Sequence, residues 1–239
     1  NNLGTALQQI GNIDEAINSF KKAIKINPNE ADAHWNLSIL QLYTEDYESG
    51  WKNYEWREKN KSPIKPHARP NIPKWKGEEL NEKDKLLIVS EQGLGDSIQF
   101  MRYIKYLREK KINVSFCAQE KLHTIIKDSE IDKNPLTADE GNQISEGKWI
   151  SLLSLPMYLK INPNNPIISG AYIKTNEKLK NKWEEILSQE KTIVIGINWQ
   201  GNPEAEKRNM KGRSIPLENF NLITKRSNVK LLSLQKGFG

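Results

Sequence analysis

The chain has 239 residues and a formal net charge of +6, room for one large or two ordinary domains of about 100–200 residues each. No apolar run approaches the roughly 18–20 residues of a membrane-spanning helix, and one cysteine, Cys117, excludes a disulfide scaffold or a cysteine-built metal cluster. Lysine supplies 29 of the 36 basic residues, interleaved with acids and accompanied by much Ile and Asn, so the positive balance reads as AT-rich codon bias rather than a nucleic-acid surface. The three histidines, His34, His67 and His123, are too scattered to suggest a metal centre.

Residues 1–60 read as helical. Ile13, Ile17, Phe20 and Ile24 form one apolar stripe, broken before by Gly11-Asn12 and ended by Asn27-Pro28-Asn29. Leu3-Gly4, Leu7, Gly11, Ala16, Phe20, Ala23 and Pro28 have the spacing of a tetratricopeptide (TPR) repeat. Thirty-four residues on, the apolar positions persist as Leu37, Tyr47, Trp51 and Tyr54. The small positions do not: Gly4 becomes Ser38, Gly11 becomes Glu45 and Ala23 becomes Arg57. A degenerate second repeat with an aromatic face suits a terminal unit docked on another body. Trp51, Tyr54 and Trp56 are therefore expected to pack between the repeats and the first α/β domain, which begins at residue 85.

Residues 61–84 carry Pro63, Pro66, Pro70 and Pro73 and predict an extended linker, pinned by Trp75. Residues 85–175 alternate strand and helix. The apolar run 86–89 is a buried parallel strand, 114–117 a second and 149–153 a third, with helices between them. Residues 176–239 restart the pattern, with a helix near Trp183, a strand at 193–198, a helix at 217–223 and a strand at 229–234. The fold class is α/β: helical TPR repeats, then two tandem Rossmann-like domains of which the second is incomplete. The chain opens on Asn1 within a helical pattern and closes on a strand and turn ending at Gly237, so both ends are read as truncated.

Two segments carry chemistry. Ser90 to Phe100 leaves a strand through Gly93-Leu94-Gly95 and opens a helix at Asp96, the crevice position where α/β sheets take ligands. Asp96 there is either an ionised functional carboxylate or a simple helix cap. The second segment is Gly196 to Pro203, then Arg213-Ser214, with Gln235 closing the next strand. Arg213 precedes a helix start, where a guanidinium could pair with a diphosphate. The loop between, with Lys207, Arg208 and Lys211, is either part of that site or a solvated surface. Cys117 reads as inert core and His123 as a surface residue.

Glu91-Gln92-Gly93-Leu94-Gly95-Asp96, Gln99-Phe100, Leu152-Leu153-Ser154-Leu155-Pro156, Trp199-Gln200-Gly201-Asn202, Arg213-Ser214 and Ser233-Leu234-Gln235 together resemble the bacterial TPR glycosyltransferases. Those enzymes are relatives of the heptosyltransferases (glycosyltransferase family 9) and, more distantly, of O-linked N-acetylglucosamine transferase. The aromatic stretch from Gly50-Trp51 to Arg57 fits that family's repeat-to-enzyme junction. The resemblance implies a GT-B fold and an inverting, metal-independent transfer from a nucleotide sugar, with no cofactor beyond that co-substrate. It implies Asp96 as catalytic base, Gln92, Gly93, Gly95 and Gln99 in the acceptor-side loop, and Trp199, Gly201, Asn202, Arg213, Ser214 and Gln235 on the donor. Expected partners are a protein, lipid or glycan acceptor and a protein bound through the repeats, in the cytoplasm. The family's later nucleotide-binding motifs lie beyond Gly239, so this stretch alone is expected to be inactive. The alternative is a TPR scaffold whose α/β part has lost catalysis.

Overall fold

Four helices open the chain: α1 (Asn2–Gln9), α2 (Ile13–Ile26), α3 (Ala31–Tyr43) and α4 (Tyr47–Tyr54). They pair as two hairpins. Asp46 caps α4, its side chain accepting from the Ser49 N–H at 3.3 Å. Ala16 and Phe20 of α2 bury against Leu37 and Leu40 of α3, with Ile13, Ile17 and Ile24 at the margin, which is the stripe expected from the sequence. A 3-10 turn, Glu55–Glu58, ends the helical part.

The computed structural model describes residues 1–167, 170–203, 206 and 212–236. The chain divides into two units, Asn1–Lys174 and Thr175–Gly239. In the first, β1 (Lys85–Val89), α5 (Leu94–Phe100), α6 (Arg102–Glu109), β2 (Asn113–Cys117), α7 (His123–Asp128), α8 (Ala138–Asn142), β3 (Lys148–Ser151) and α9 (Leu155–Tyr158) follow in order. The strands form a parallel sheet in the order β2-β1-β3, with Ile88 opposite Phe116 and Ile150. Alternation along β1 sends Leu86 and Ile88 to one apolar cluster and Leu87 and Val89 to another. Both faces are covered, as a parallel sheet requires.

The two covers differ. On one face Met101, at the break between α5 and α6, joins Ile104 and Leu107 of α6, Ile126 of α7 and also Tyr54 of α4, so the second repeat belongs to the sheet's own core. The other face is closed by Ala68 from the proline-rich segment, with Leu136, Ile144 and Trp149. That segment also extends the sheet. The Trp75 N–H donates to the Trp149 carbonyl at 2.8 Å, and the Trp149 N–H to the Pro73 carbonyl at 3.0 Å. Trp75 itself is buried. Proline bars helix here but leaves an edge strand available.

Two expected elements end early. The helix expected between the first two strands divides at Met101 into α5 and α6. The third strand stops at Ser151, and Leu152–Ser154 turn into a 3-10 helix. The Leu153 N–H is taken there by the Glu91 carboxylate at 3.2 Å, which removes it from the strand ladder.

In the second unit, α10 (Glu177–Ser188) is capped by Asn176, whose Oδ1 accepts from the Lys178 and Leu179 N–H groups. β4 (Ile193–Ile197) and β5 (Val229–Ser233) pair in parallel. The helix expected at 217–223 is a 3-10 turn, Leu217–Phe220, followed by one short turn, Asn221–Thr224. The molecule is thus of the α/β class with helical hairpins at its start. Among the described residues no helix is long and apolar enough to cross a membrane.

Candidate functional site

The turn after β1 lies at the carboxyl end of the first unit's sheet. Glu91 is buried; Gln92, with φ 61°, stands in the left-handed region. Only a few per cent of non-glycine residues adopt that conformation; Glu45, Lys111 and Glu130 share it here just past helix ends, whereas Gln92 follows a strand. Gln92 is tied at two points: its Nε2 donates to the Tyr54 hydroxyl at 2.8 Å, and its carbonyl accepts from Gln119 Nε2 at 3.3 Å. The Ser97 hydroxyl donates to Gln119 Oε1 at 2.8 Å.

Asp96 is half-buried in the first turn of α5, and its Oδ2 accepts the Gly93 N–H at 3.0 Å. Through that oxygen the carboxylate caps α5. Its Oδ1 takes no hydrogen bond among the described residues. Gly93, Gly95 and Gln99 are exposed. The Gln99 carbonyl accepts from Arg102 Nε at 2.9 Å and, at 3.3 Å, from the Tyr172 hydroxyl. A Cβ on Gly95 would meet nothing within 4 Å, so the fold itself does not demand glycine there.

Beneath this turn lies a charged cluster. Arg57 and Glu91 are both wholly buried and form a bidentate pair: Nε to Oε2 at 3.1 Å and Nη2 to Oε1 at 2.7 Å. Nη2 also donates to the Ser154 hydroxyl at 2.8 Å, and Nη1 to the Tyr54 carbonyl at 3.2 Å and to Glu55 Oε1 at 2.7 Å. All five guanidinium donors are used. Burial alone would lower the Arg57 pKa, but the Glu91 and Glu55 carboxylates hold it above its ordinary value. Burial pushes the Tyr54 hydroxyl up to about 12. Beside them Glu58 bridges Lys74 and Ser151; burial opposes its ionisation, yet Lys74 keeps its carboxyl below the usual range.

Among the aromatic residues, Trp51 donates from Nε1 to the Ile161 carbonyl at 3.2 Å and meets Phe100 of α5 edge-on at 6.2 Å. Tyr54 joins the sheet's core. Trp56 stacks instead on His34 of α3, with centroids 4.1 Å apart. Cys117 is buried and its thiol is pushed up to about 12, the state of an inert core residue. His123 is half-buried rather than a surface group, one ring nitrogen lying 3.1 Å from the Ala118 carbonyl.

In the second unit the sequence-derived residues converge where β4 and β5 end. Gln235 Oε1 accepts from the Trp199 and Gln200 N–H groups at 3.3 and 3.0 Å, while its Nε2 donates to the Gln200 carbonyl at 3.2 Å. Its amide thus acts as a peptide splint across the two strand ends. The Gly201 N–H donates to the Ser214 hydroxyl at 3.0 Å. A Cβ on Gly201 would come within 2.9 Å of the Arg213 Cβ, a close approach that only glycine permits. Arg213 and Asn202 are exposed. Lys207, Arg208 and Lys211 of the basic loop, and the final turn at Gly237, lie outside the described residues.

The sequence reading missed the Arg57 cluster, although its signal is visible. Arg57 occupies the place where the first repeat has Ala23, and a charge at a small-residue contact position needs a buried counter-charge. Two clefts in the first unit lie away from the turn. One, about 580 Å³, is lined by Tyr47, Trp51, Lys52, Met157 and Lys160; the other, about 370 Å³, by Lys85, Asn113, Ser115 and Glu146. Among the described residues no group of three or more His, Cys, Asp or Glu side chains is placed to hold a metal.

Residues 4–42 match the family described as TPR repeat. No curated protein and no solved structure matches the chain. The match, which ends within α3, suggests a protein-binding or scaffold role for the N-terminal repeat.

Proposed function

We propose that the chain belongs to a repeat-tethered glycosyltransferase, moving a sugar from a nucleotide-sugar donor to an acceptor hydroxyl with inversion and without a metal. The observation that carries this reading is the Asp96 carboxylate. One oxygen is fixed by the Gly93 N–H and the other is open, at a half-exposed turn beyond a parallel strand. An oriented carboxylate with one open oxygen is what a general base requires. Asp96 would take the acceptor's proton as its oxygen attacks the anomeric carbon, while the bond to the nucleoside diphosphate breaks and its electron pair leaves with the phosphate. Gln92, Gly93, Gly95 and Gln99 would border the acceptor. Trp199, Gly201, Asn202, Ser214 and Gln235 would shape the donor side, with the Arg213 guanidinium balancing charge on the departing diphosphate. The hairpins would recruit a protein partner or the acceptor itself.

A second reading has its own support. The Gln235 amide is occupied by backbone and Asp96 already caps a helix, as in a TPR scaffold whose α/β part is structural. Asp96→Asn, made in the complete protein, separates the two. Asparagine keeps an oxygen for the Gly93 N–H but is no base. With nucleotide sugars and glycan, lipid or protein acceptors, nucleoside diphosphate release should be abolished in the variant while its Tm stays within a few degrees. Turnover equal to the parent chain would sink the base assignment. No release from any donor, with a protein still held by the hairpins, would favour the scaffold.

A further inference from the structure

The left-handed conformation of Gln92 needs a physical cause. The residue is not glycine, and φ of 61° carries a cost of order 1 kcal/mol or more unless neighbours hold it. Its side chain is held by a residue of the repeats: Gln92 Nε2 donates to Tyr54 Oη at 2.8 Å. Tyr54 is 8% exposed, tilted against Trp35 and edge-on to Trp51, so its hydroxyl is a fixed acceptor. The Gln92 backbone angles set the direction of the next N–H, that of Gly93, which binds Asp96 Oδ2 at 3.0 Å. A connected path therefore runs from the last turn of α4, through Gln92 and Gly93, to the Asp96 carboxylate.

We propose that Tyr54 is a positioning residue: its hydroxyl holds Gln92 left-handed and thereby aims the Gly93 N–H at Asp96. The terminal hairpin is then a working part of the turn rather than a detachable tether. Two further contacts strengthen this coupling. Arg57, one turn beyond Tyr54, grips Glu91, and Trp51, one turn before it, meets Phe100 at the far end of α5. A protein that bends or braces the hairpin acts on the Glu91–Phe100 segment at three points. This holds whatever the turn binds, so it does not depend on sugar transfer.

The test is amide hydrogen exchange resolved by NMR on the full chain, which needs no ligand. Tyr54→Phe removes one oxygen and leaves the ring in place. The Gly93 amide should exchange about tenfold faster, the scale of one lost hydrogen bond, while the amides of Ile88 and Val89 in β1 keep their rates. Adding Gln92→Gly, which accepts the left-handed region freely, should restore Gly93 to within about threefold of the parent. An unchanged Gly93 rate in Tyr54→Phe overturns the proposal. Equal acceleration of Gly93 and β1 overturns it too, because Tyr54 would then serve only general stability. A failed rescue by Gln92→Gly removes the left-handed residue as the link.

Discussion

Removal of the Arg57 guanidinium should threaten the whole first unit. In Arg57→Met, Glu91 would remain wholly buried with the Leu153 N–H, at 3.2 Å, as its remaining donor. Leaving one member of a buried pair unpaired costs about 3–5 kcal/mol, against a total stability of about 5–15 kcal/mol for an ordinary domain. The double replacement Arg57→Met/Glu91→Leu removes the stranded charge as well. It leaves the Leu153 N–H and Tyr54 carbonyl short of partners, at about 1–3 kcal/mol each when a buried group is left unsatisfied. Ser154 and Glu55 keep their own hydrogen bond of 2.8 Å.

The Tyr54 carbonyl loses its Arg57 donor in both variants. The double variant therefore exchanges a stranded charge at about 3–5 kcal/mol for one unsatisfied N–H at about 1–3 kcal/mol. It should be more stable than Arg57→Met by about 2 kcal/mol, with the two singles non-additive. Urea unfolding followed by tryptophan fluorescence reads this, since Trp35, Trp51, Trp56, Trp75 and Trp149 all lie in Asn1–Lys174. A loss under 1 kcal/mol in Arg57→Met, or additivity of the singles within about 0.5 kcal/mol, would refute the reasoning.

Gly95→Ala should stabilise α5 by up to about 1 kcal/mol, because nothing stands near the added methyl and alanine favours helix; if the turn takes a ligand against its backbone, the same change should weaken turnover, and kinetics beside a melting curve would show both. Gly201→Ala should destabilise the second unit by about 1–3 kcal/mol through the clash with Arg213, measured as faster amide exchange at Trp199 and Gln200. Gln235→Leu should free the same two amides, and their unchanged protection would show that the splint carries nothing. For pH, burial raises the Cys117 thiol from 9.0 and the Tyr54 hydroxyl from 10.0, each to about 12. The unfolded chain loses those protons first, so this contribution is intact below about pH 9 and is lost as pH rises towards 12. Urea midpoints across that range should fall, and thiol-reagent labelling of Cys117 should track unfolding.

Much of the fold was legible because it rests on periodicity. The 86–89 run, with apolar side chains on both faces, could only be a buried parallel strand, and the Ile13–Phe20–Ile24 stripe could only face another helix. The position of Asp96 at a helix start could be read as well, since a strand and two glycines lead into it, although the same pattern left open whether its carboxylate caps the helix. Its partner could not be read. The Gly93 contact depends on the angles of Gln92, which depend on a tyrosine 38 positions earlier. Trp56 was misplaced for a similar reason: an aromatic run tells which residues seek cover, not which of two bodies supplies it, and His34 offered a flat ring on the repeat side. The early end of β3 lay hidden because the Leu153 N–H is drawn off by a side chain rather than by a strand.

The choice of an ion pair for this junction has a geometric logic. An apolar helix face against an apolar sheet face tolerates sliding, and Trp51, Tyr54 and their neighbours would find apolar contact in more than one register. A shift of α4 by one turn, about 5.4 Å, would take Arg57 away from Glu91, Ser154 and the ring of acceptors that uses all five of its donors. Each charge would then be buried without its partner, a cost of several kcal/mol per ion. The pair therefore adds less to net stability than to uniqueness: it admits one register. In that register the Tyr54 hydroxyl reaches Gln92, and the Gly93 N–H reaches Asp96.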